Sequence, residues 1–341
     1  MTVHSRFLTS IIAAAALVSS TGCIITTPPR GNPGDITFTW TFNNGRTCAS
    51  VPDVTQVEIV IPGQTLQNQG RYGCINSGTA GIKLLAFKAG TYRYTINGQN
   101  ASGQTMYTAT GSIVVNGDVA EAADLKPTAD AKGQAFITWR FPAGTTVDCQ
   151  TITAVDVSIN GALIRSATCA EGFTASGVFI SGITPGNNVL TLAARDTNGF
   201  FYYRSDRTLV VTAGNDVVEQ TTLDWAVGSL PIKWTFNNGV AIVNCSQAGV
   251  TTVNINLRDS AGTLLYGNNG TDVTCVNGNL IQGTVFPWLY SGQYDLYLQA
   301  YGAGGVLYHT NLTSPPQVTV TAGTFPIIDN PTITPIQLMT L

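Results

Sequence analysis

Trp40-Thr41-Phe42-Asn43-Asn44-Gly45, followed by Cys48, returns as Trp139-Arg140-Phe141-Pro142-Ala143-Gly144 before Cys149 and as Trp234-Thr235-Phe236-Asn237-Asn238-Gly239 before Cys245. The tryptophans lie 99 and then 95 residues apart. That period is the size of a β-sandwich and far longer than a solenoid repeat. Each tryptophan belongs to an alternating run: Ile36, Phe38, Trp40, Phe42; then Ala135, Ile137, Trp139, Phe141; then Leu230, Ile232, Trp234, Phe236. A period of two puts each set on one face of a strand, so the tryptophans read as core anchors rather than exposed platforms.

Working outward, each first cysteine is followed by a second alternating strand: Val57, Ile59, Ile61; Val155, Val157, Ile159; Val253, Ile255, Leu257. A third strand opens on a glycine at Gly90, Gly186 and Gly292, and the copies close with Ile113–Val115, Leu209–Val211 and Val318–Val320. Gly117-Asp118 and Gly214-Asn215-Asp216 then read as turns into a further strand leading to the next copy. No stretch carries a sustained helical period with caps. The expectation is an all-β chain of three tandem sandwiches at residues 34–128, 129–226 and 227–323. The tail at 324–341 reads either as the strand completing the third sandwich or as a partner-docking strand.

Composition bounds the rest. Hydrophobic residues make up 44% of the 341-residue chain and charged residues only 10%, far below the roughly 25% of an average soluble domain. The net charge of −3, without basic clusters, leaves no electrostatic footprint for nucleic acid.

His4 and Arg6 precede the apolar run Ile11–Val18, too short to span a bilayer. Ser20-Thr21-Gly22-Cys23 resembles the lipobox of bacterial lipoproteins. That resemblance implies cleavage of a signal peptide at 1–22 and acylation of Cys23, with palmitate among the acyl chains. Two or more acyl chains anchor a protein stably. Ile24, in place of the aspartate associated with inner-membrane retention, implies the outer membrane, and residues 23–33 read as an extended tether. Seven cysteines leave one over after in-repeat pairing, and the odd one is Cys23. The remaining six pair within repeats as Cys48–Cys74, Cys149–Cys169 and Cys245–Cys275. Each bond supplies about 3 kcal/mol by restricting the unfolded chain, in an oxidising compartment.

The mature architecture resembles the immunoglobulin-like or transthyretin-like repeats of bacterial surface lipoproteins. In copies one and three, Gly90-Thr91-Tyr92 and Gly292-Gln293-Tyr294 resemble the tyrosine corner of such sandwiches; copy two has Asn188 instead. The tryptophan here precedes the first cysteine, whereas immunoglobulin domains place it between the two.

Chemistry is sparse. His309 is the one histidine beyond the signal segment, no nucleophile elbow accompanies it, and acids such as Asp156, Asp206 and Asp295 show no pairing. Asp196-Thr197-Asn198-Gly199 reads as a hairpin turn. No catalytic residue, metal or cofactor is expected. Aromatics cluster at Phe200–Tyr203 and, in copy three, at Trp288, Tyr290, Tyr297 and Tyr301. They fit a face for glycan or protein, or the seams that a jointed array must bury. The reading is a non-enzymatic envelope protein with a structural, adhesive or protein-binding role. A carbohydrate-binding array built on the copy-three aromatics is the alternative, and a degenerate hydrolase and a scaffold subunit stand behind it. Non-reducing peptide mapping of the exported chain should recover the three in-repeat disulfides; a bond joining two different repeats would contradict the repeat reading.

Overall fold

The computed structural model describes residues 31–74 and 81–340. The signal segment, Cys23 and most of the tether fall outside them. Copy one contributes β1 (Gly34–Phe42), β2 (Gln56–Val60), β3 (Arg71–Gly73), β4 (Ile82–Phe87), β5 (Gly90–Gln99), β6 (Thr105–Val115) and β7 (Val119–Pro127). Copy two contributes β8 (Gly133–Arg140), β9 (Ala154–Ile159), β10 (Ala162–Thr168), β11 (Val178–Ile183), β12 (Gly186–Arg195), β13 (Phe201–Val211) and β14 (Asp216–Thr222). Copy three contributes β15 (Val227–Asn237), β16 (Ile242–Val243), β17 (Thr252–Arg258), β18 (Thr271–Thr274), β19 (Gln282–Tyr290), β20 (Gly292–Gly302), β21 (Gly305–His309), β22 (Gln317–Val320) and β23 (Ile336–Thr340).

The first two copies share one topology. In copy one β3-β2-β5-β6 faces β4-β1-β7, the two halves joined into one ladder where Tyr107 and Thr108 of β6 pair with Pro127 and Lys126 of β7; in copy two β10-β9-β12-β13 and β11-β8-β14 are separate sheets. In copy three β18-β17-β20 continues into β21 and β22, opposite β19-β15-β23 with the short β16 at the end of β15, and β21 pairs with β23 so that the two halves form one ladder. The strand continuous as β6 and β13 is therefore split in copy three, with residues 310–316 between its halves. The last strand of each copy runs parallel to its first: β7 beside β1, β14 beside β8, β23 beside β15. The tail beyond residue 323 thus supplies a strand to the sheet of copy three.

The alternating residues fill three separate cores. Ile36, Phe38, Trp40 and Phe42 are all buried, as are Leu230, Ile232, Trp234 and Phe236; in copy two Phe141 is only half-buried at the edge. Each copy holds one disulfide, Cys48–Cys74, Cys149–Cys169 and Cys245–Cys275, with Cα separations of 5.7, 5.5 and 5.9 Å. Both cysteines are buried in copies one and three, whereas in copy two Cys169 lies in the core and Cys149 is exposed. The staples join the segment after β1, β8 or β16 to the residue that follows β3, β10 or β18. The second cysteine of each repeats one contact, the N–H of Cys74, Cys169 and Cys275 donating to the carbonyl of Thr55, Thr153 and Thr251. The Trp139 indole N–H donates to the Cys169 carbonyl at 3.1 Å.

The corner motif is present in all three copies, although its residue changes. Tyr92 Oη donates to the Lys88 carbonyl at 3.0 Å and Tyr294 Oη to the Tyr290 carbonyl at 2.8 Å. Asn188 Nδ2 donates to the Thr184 carbonyl at 2.9 Å, so the shorter amide also reaches four residues back. The glycine two positions earlier makes room for the turn: φ is +155° at Gly90, +114° at Gly186 and +158° at Gly292, a region open essentially to glycine. Asn188 carries more than the tyrosines, because its Oδ1 also accepts from Asn160 Nδ2 at 2.9 Å. Tyr294→Phe should therefore cost about 1 kcal/mol and Asn188→Ala about 2 kcal/mol in urea unfolding. Equal, negligible shifts in midpoint would show that the corner bonds do not stabilise the sandwiches.

Candidate functional site

The sequence directs attention to aromatics, and the structure divides them between a seam and a cleft. At the boundary of copies two and three, Trp225 stacks on Trp288 with ring centroids 5.9 Å apart, and Phe325 meets both edge-on at 4.9 and 5.2 Å. Tyr202 packs on Trp288 at 5.4 Å, and Phe200 stacks on Tyr290 at 4.9 Å. The Phe201 N–H donates to Tyr290 Oη at 3.3 Å. Trp288 and Tyr290 thus face copy two as seam residues, together with the Phe200–Tyr203 run.

Local backbone explains how β19 supplies both. Its register against β15 slips by one residue, between the pairs Gly228↔Leu289 and Leu230↔Phe286. The extra residue is a bulge that re-aims side chains. Trp288 sits there at φ +57°, a conformation a bulky residue holds only when packing over-determines it. Below the seam, Tyr203 is fully buried and Oη donates to the Val147 carbonyl at 2.7 Å. Burial pushes its phenol up to about 12, so it stays neutral.

The seam between copies one and two is polar. Arg46 forms an ion pair with Asp216, and its Nη1 donates to the Gly214 carbonyl at 2.9 Å. Asn43 Nδ2 donates to the Gly214 carbonyl and to Asn215 Oδ1, each at 3.0 Å. Gln134 Nε2 reaches the Ser50 carbonyl at 2.9 Å. The Asn43-Asn44-Gly45 turn of the opening motif is therefore a joint.

Tyr297 and Tyr301 lie elsewhere, on the outer face of β20. Tyr301 Oη donates to Gln299 Oε1 at 2.9 Å. Tyr297 lines a cleft of about 470 Å³ with Asn254, Asn256, Arg258, Gln299 and Leu312. The Arg258 guanidinium lies 5.2 Å from the centre of the Tyr297 ring, a cation–π distance. Its Nη2 donates to Asp295 Oδ2 at 2.7 Å. That hydrogen bond holds the Asp295 carboxyl below the usual carboxylate range.

Among the described residues the candidate acids and His309 do not gather. Asp156 pairs with Arg195, Asp295 with Arg258, and Asp206 accepts from Thr191. His309 Nδ1 lies 2.5 Å from the neighbouring Thr310 carbonyl. Among the described residues no three His, Cys, Asp or Glu side chains gather as metal ligands, and no helix is long and apolar enough to cross a membrane. Asp196–Gly199 forms the β12–β13 hairpin turn, with Asp196 Oδ1 accepting from the N–H of Asn198 and Phe200.

No protein-family model matches the chain, and no curated protein matches it. Solved structures similar to it include the Bacillus anthracis TIE protein, at 11% identity over 90% of this chain and 50% of that one, TM-score 0.27. A streptococcal ancillary pilin shares 12% identity over 90% and 99% of the two chains, TM-score 0.30. The minor pilin of Streptococcus agalactiae shares 11% identity over 62% and 96%, TM-score 0.29. The chain thus spans half the length of the Bacillus anthracis protein. These superpositions are loose, and the sandwich assignment rests on the sheets described above.

Trp288→Ala should remove about 3 kcal/mol of packing and uncouple copies two and three. Calorimetry would then resolve a separate transition for the third sandwich, and limited proteolysis would cut near residues 223–226. A variant that melts like the parent would show that the ring contributes nothing to the seam.

Proposed function

We propose that the chain is a lipid-anchored envelope protein, fixed to the outer membrane through acylated Cys23, with a structural and adhesive role and no enzymatic one. The observation that carries this reading is the distribution of cysteine. Six of the seven are consumed in three disulfides, one per copy. The seventh, Cys23, stands alone at the end of Ser20-Thr21-Gly22-Cys23. Disulfides persist in oxidising compartments, which agrees with an exported chain. A surface poor in charge and three small stapled cores suit a protein exposed to proteases and mechanical load.

In this reading the acyl chains hold one end, the tether at 23–33 gives clearance, and the sandwiches project the third copy farthest from the membrane. The seams favour a jointed rod over three beads on loose string, because both boundaries bury specific contacts. The partner lies in the envelope or outside it, a protein or a glycan.

The test is metabolic labelling with radioactive palmitate in a Gram-negative host expressing the full chain. The parent should incorporate label and fractionate with the outer membrane, whereas Cys23→Ala should lose label and become soluble or retain its signal segment. Label that persists in Cys23→Ala, or an unlabelled parent, would contradict the anchor.

A further inference from the structure

Copy three departs from its two siblings on one sheet face, and the departure creates a pocket. The registers make the comparison residue by residue. The N–H of Thr55, Thr153 and Thr251 bonds the carbonyl of Gln99, Arg195 and Tyr301, which aligns β2 with β9 and β17, and β5 with β12 and β20. Where β17 has Asn254, the siblings have Glu58 and Asp156, closed off by Arg71 and Arg195. Where copy three has Asn256 and Tyr297, copy one has Val60 and Thr95, and copy two has Ser158 and Thr191. At these positions amides and a tyrosine replace the siblings' carboxylate, and copy three's own ion pair, Arg258–Asp295, lies further along β17 and β20.

The walls of this pocket are built. On one side the segment from Asp259 to Gly270 is tied down to the floor: Asn256 Nδ2 donates to the Gly267 carbonyl at 2.6 Å and Asn254 Nδ2 to the Asn269 carbonyl at 2.7 Å. On the other side the split strand lifts residues 310–316, and Leu312 lines the cleft. Thr310 Oγ1 accepts from the Leu298 N–H at 3.2 Å, the Leu296 N–H donates to the Pro316 carbonyl at 2.8 Å, and Asn311 Oδ1 caps the N–H of Thr313 and Ser314. A site held this way loses little freedom on binding.

We infer that this cleft is a binding site for an uncharged saccharide. Three polar groups on its lining residues have no protein hydrogen-bond partner among the described residues: the Tyr297 hydroxyl, the Gln299 amide nitrogen and Arg258 Nη1. A hydroxyl, an amide and a guanidinium edge together offer donors and an acceptor, which suits a ring of alternating hydroxyls. Leu264 and Leu312 supply apolar surface for the C–H faces of such a ring. Arg258 is the one ionised residue in the lining, and its partner Asp295 neutralises it. The pocket therefore has no excess positive charge to reward an acidic ligand, and the Asp272 carboxylate, which accepts from Asn254 Nδ2 at 2.6 Å, adds a negative charge beside it. Its volume of about 470 Å³ falls within the range of small-molecule sites. The inference deepens the adhesive reading and rests on it for biological sense. The aromatics responsible are not the full copy-three set, since Trp288 and Tyr290 are committed to the seam.

The experiment uses the full mature chain in detergent on a printed array of neutral oligosaccharides, with sialylated and sulfated glycans beside them, followed by titration of the best neutral oligosaccharide. Tyr297→Phe and Gln299→Glu preserve shape and should each weaken binding about tenfold, and Tyr297→Ala should abolish it. Glu58→Gln in copy one should leave binding unchanged. The inference is overturned if a chain with all three disulfides intact retains no neutral glycan, or retains only acidic ones. Binding that the Tyr297 and Gln299 variants leave unaltered overturns it equally. The readout is independent of acylation, so a labelled chain that ignores the array would defeat the saccharide site alone, and an unlabelled chain that binds would defeat the anchor alone.

Discussion

Each sandwich is closed by a last strand lying parallel to its first, and the rest of the molecule follows from that constraint. A parallel pair cannot be joined by a tight hairpin, so the last strand arrives by crossing from the opposite sheet and leaves at the far end of the first. The chain then passes directly into the next copy through residues 128–132 or 223–226. Linkers so short leave the copies no room to separate. Ends that must touch acquire contacts: polar ones around Asn43 and Arg46, aromatic ones around Trp225 and Trp288. The same constraint recruits the tail, because without β23 the edge of β15 beyond Trp234 would have no parallel partner.

The disulfides act on a different problem. Each sandwich buries about twenty hydrophobic residues, a small core for a unit of its size, and a cross-link of the unfolded chain adds about 3 kcal/mol where the core alone leaves little margin. Each staple joins the loop region that follows the tryptophan strand to the residue after β3, β10 or β18. It therefore adds a covalent tie between the facing sheets, in addition to the β6–β7 and β21–β23 ladders that join them in copies one and three.

Much of the fold was legible because period-two burial leaves its mark directly on residue type. Ile36 to Phe42 and their counterparts had one interpretation as strands, and the cysteines had one economical pairing. The corner in copy two was not legible, since Asn188 and Tyr294 share no chemistry beyond a donor that reaches four residues back. The fate of the aromatics was also hidden. Trp288 and Tyr290 look like Tyr297 in sequence, and only the bulge in β19 and the facing rings of copy two distinguish seam from cleft. The cleft left almost no signal, because Asn254, Asn256 and Gln299 resemble the polar filler found on every exposed strand of this chain. The one cue was available in hindsight: Gln299 and Tyr297 share a face of β20, and the stretch from residue 305 to 320 is longer between strands than its counterparts.

Closure by the last strand is also the claim most open to direct attack. Hydrogen exchange should be followed on a chain ending at Pro335, which lacks β23 but keeps Phe325 and the seam. The account predicts that amides across Trp234–Asn237 lose protection and that the third sandwich becomes the least stable unit, while the cores around Trp40 and Trp139 exchange as before. Undiminished protection throughout the third sandwich would contradict it.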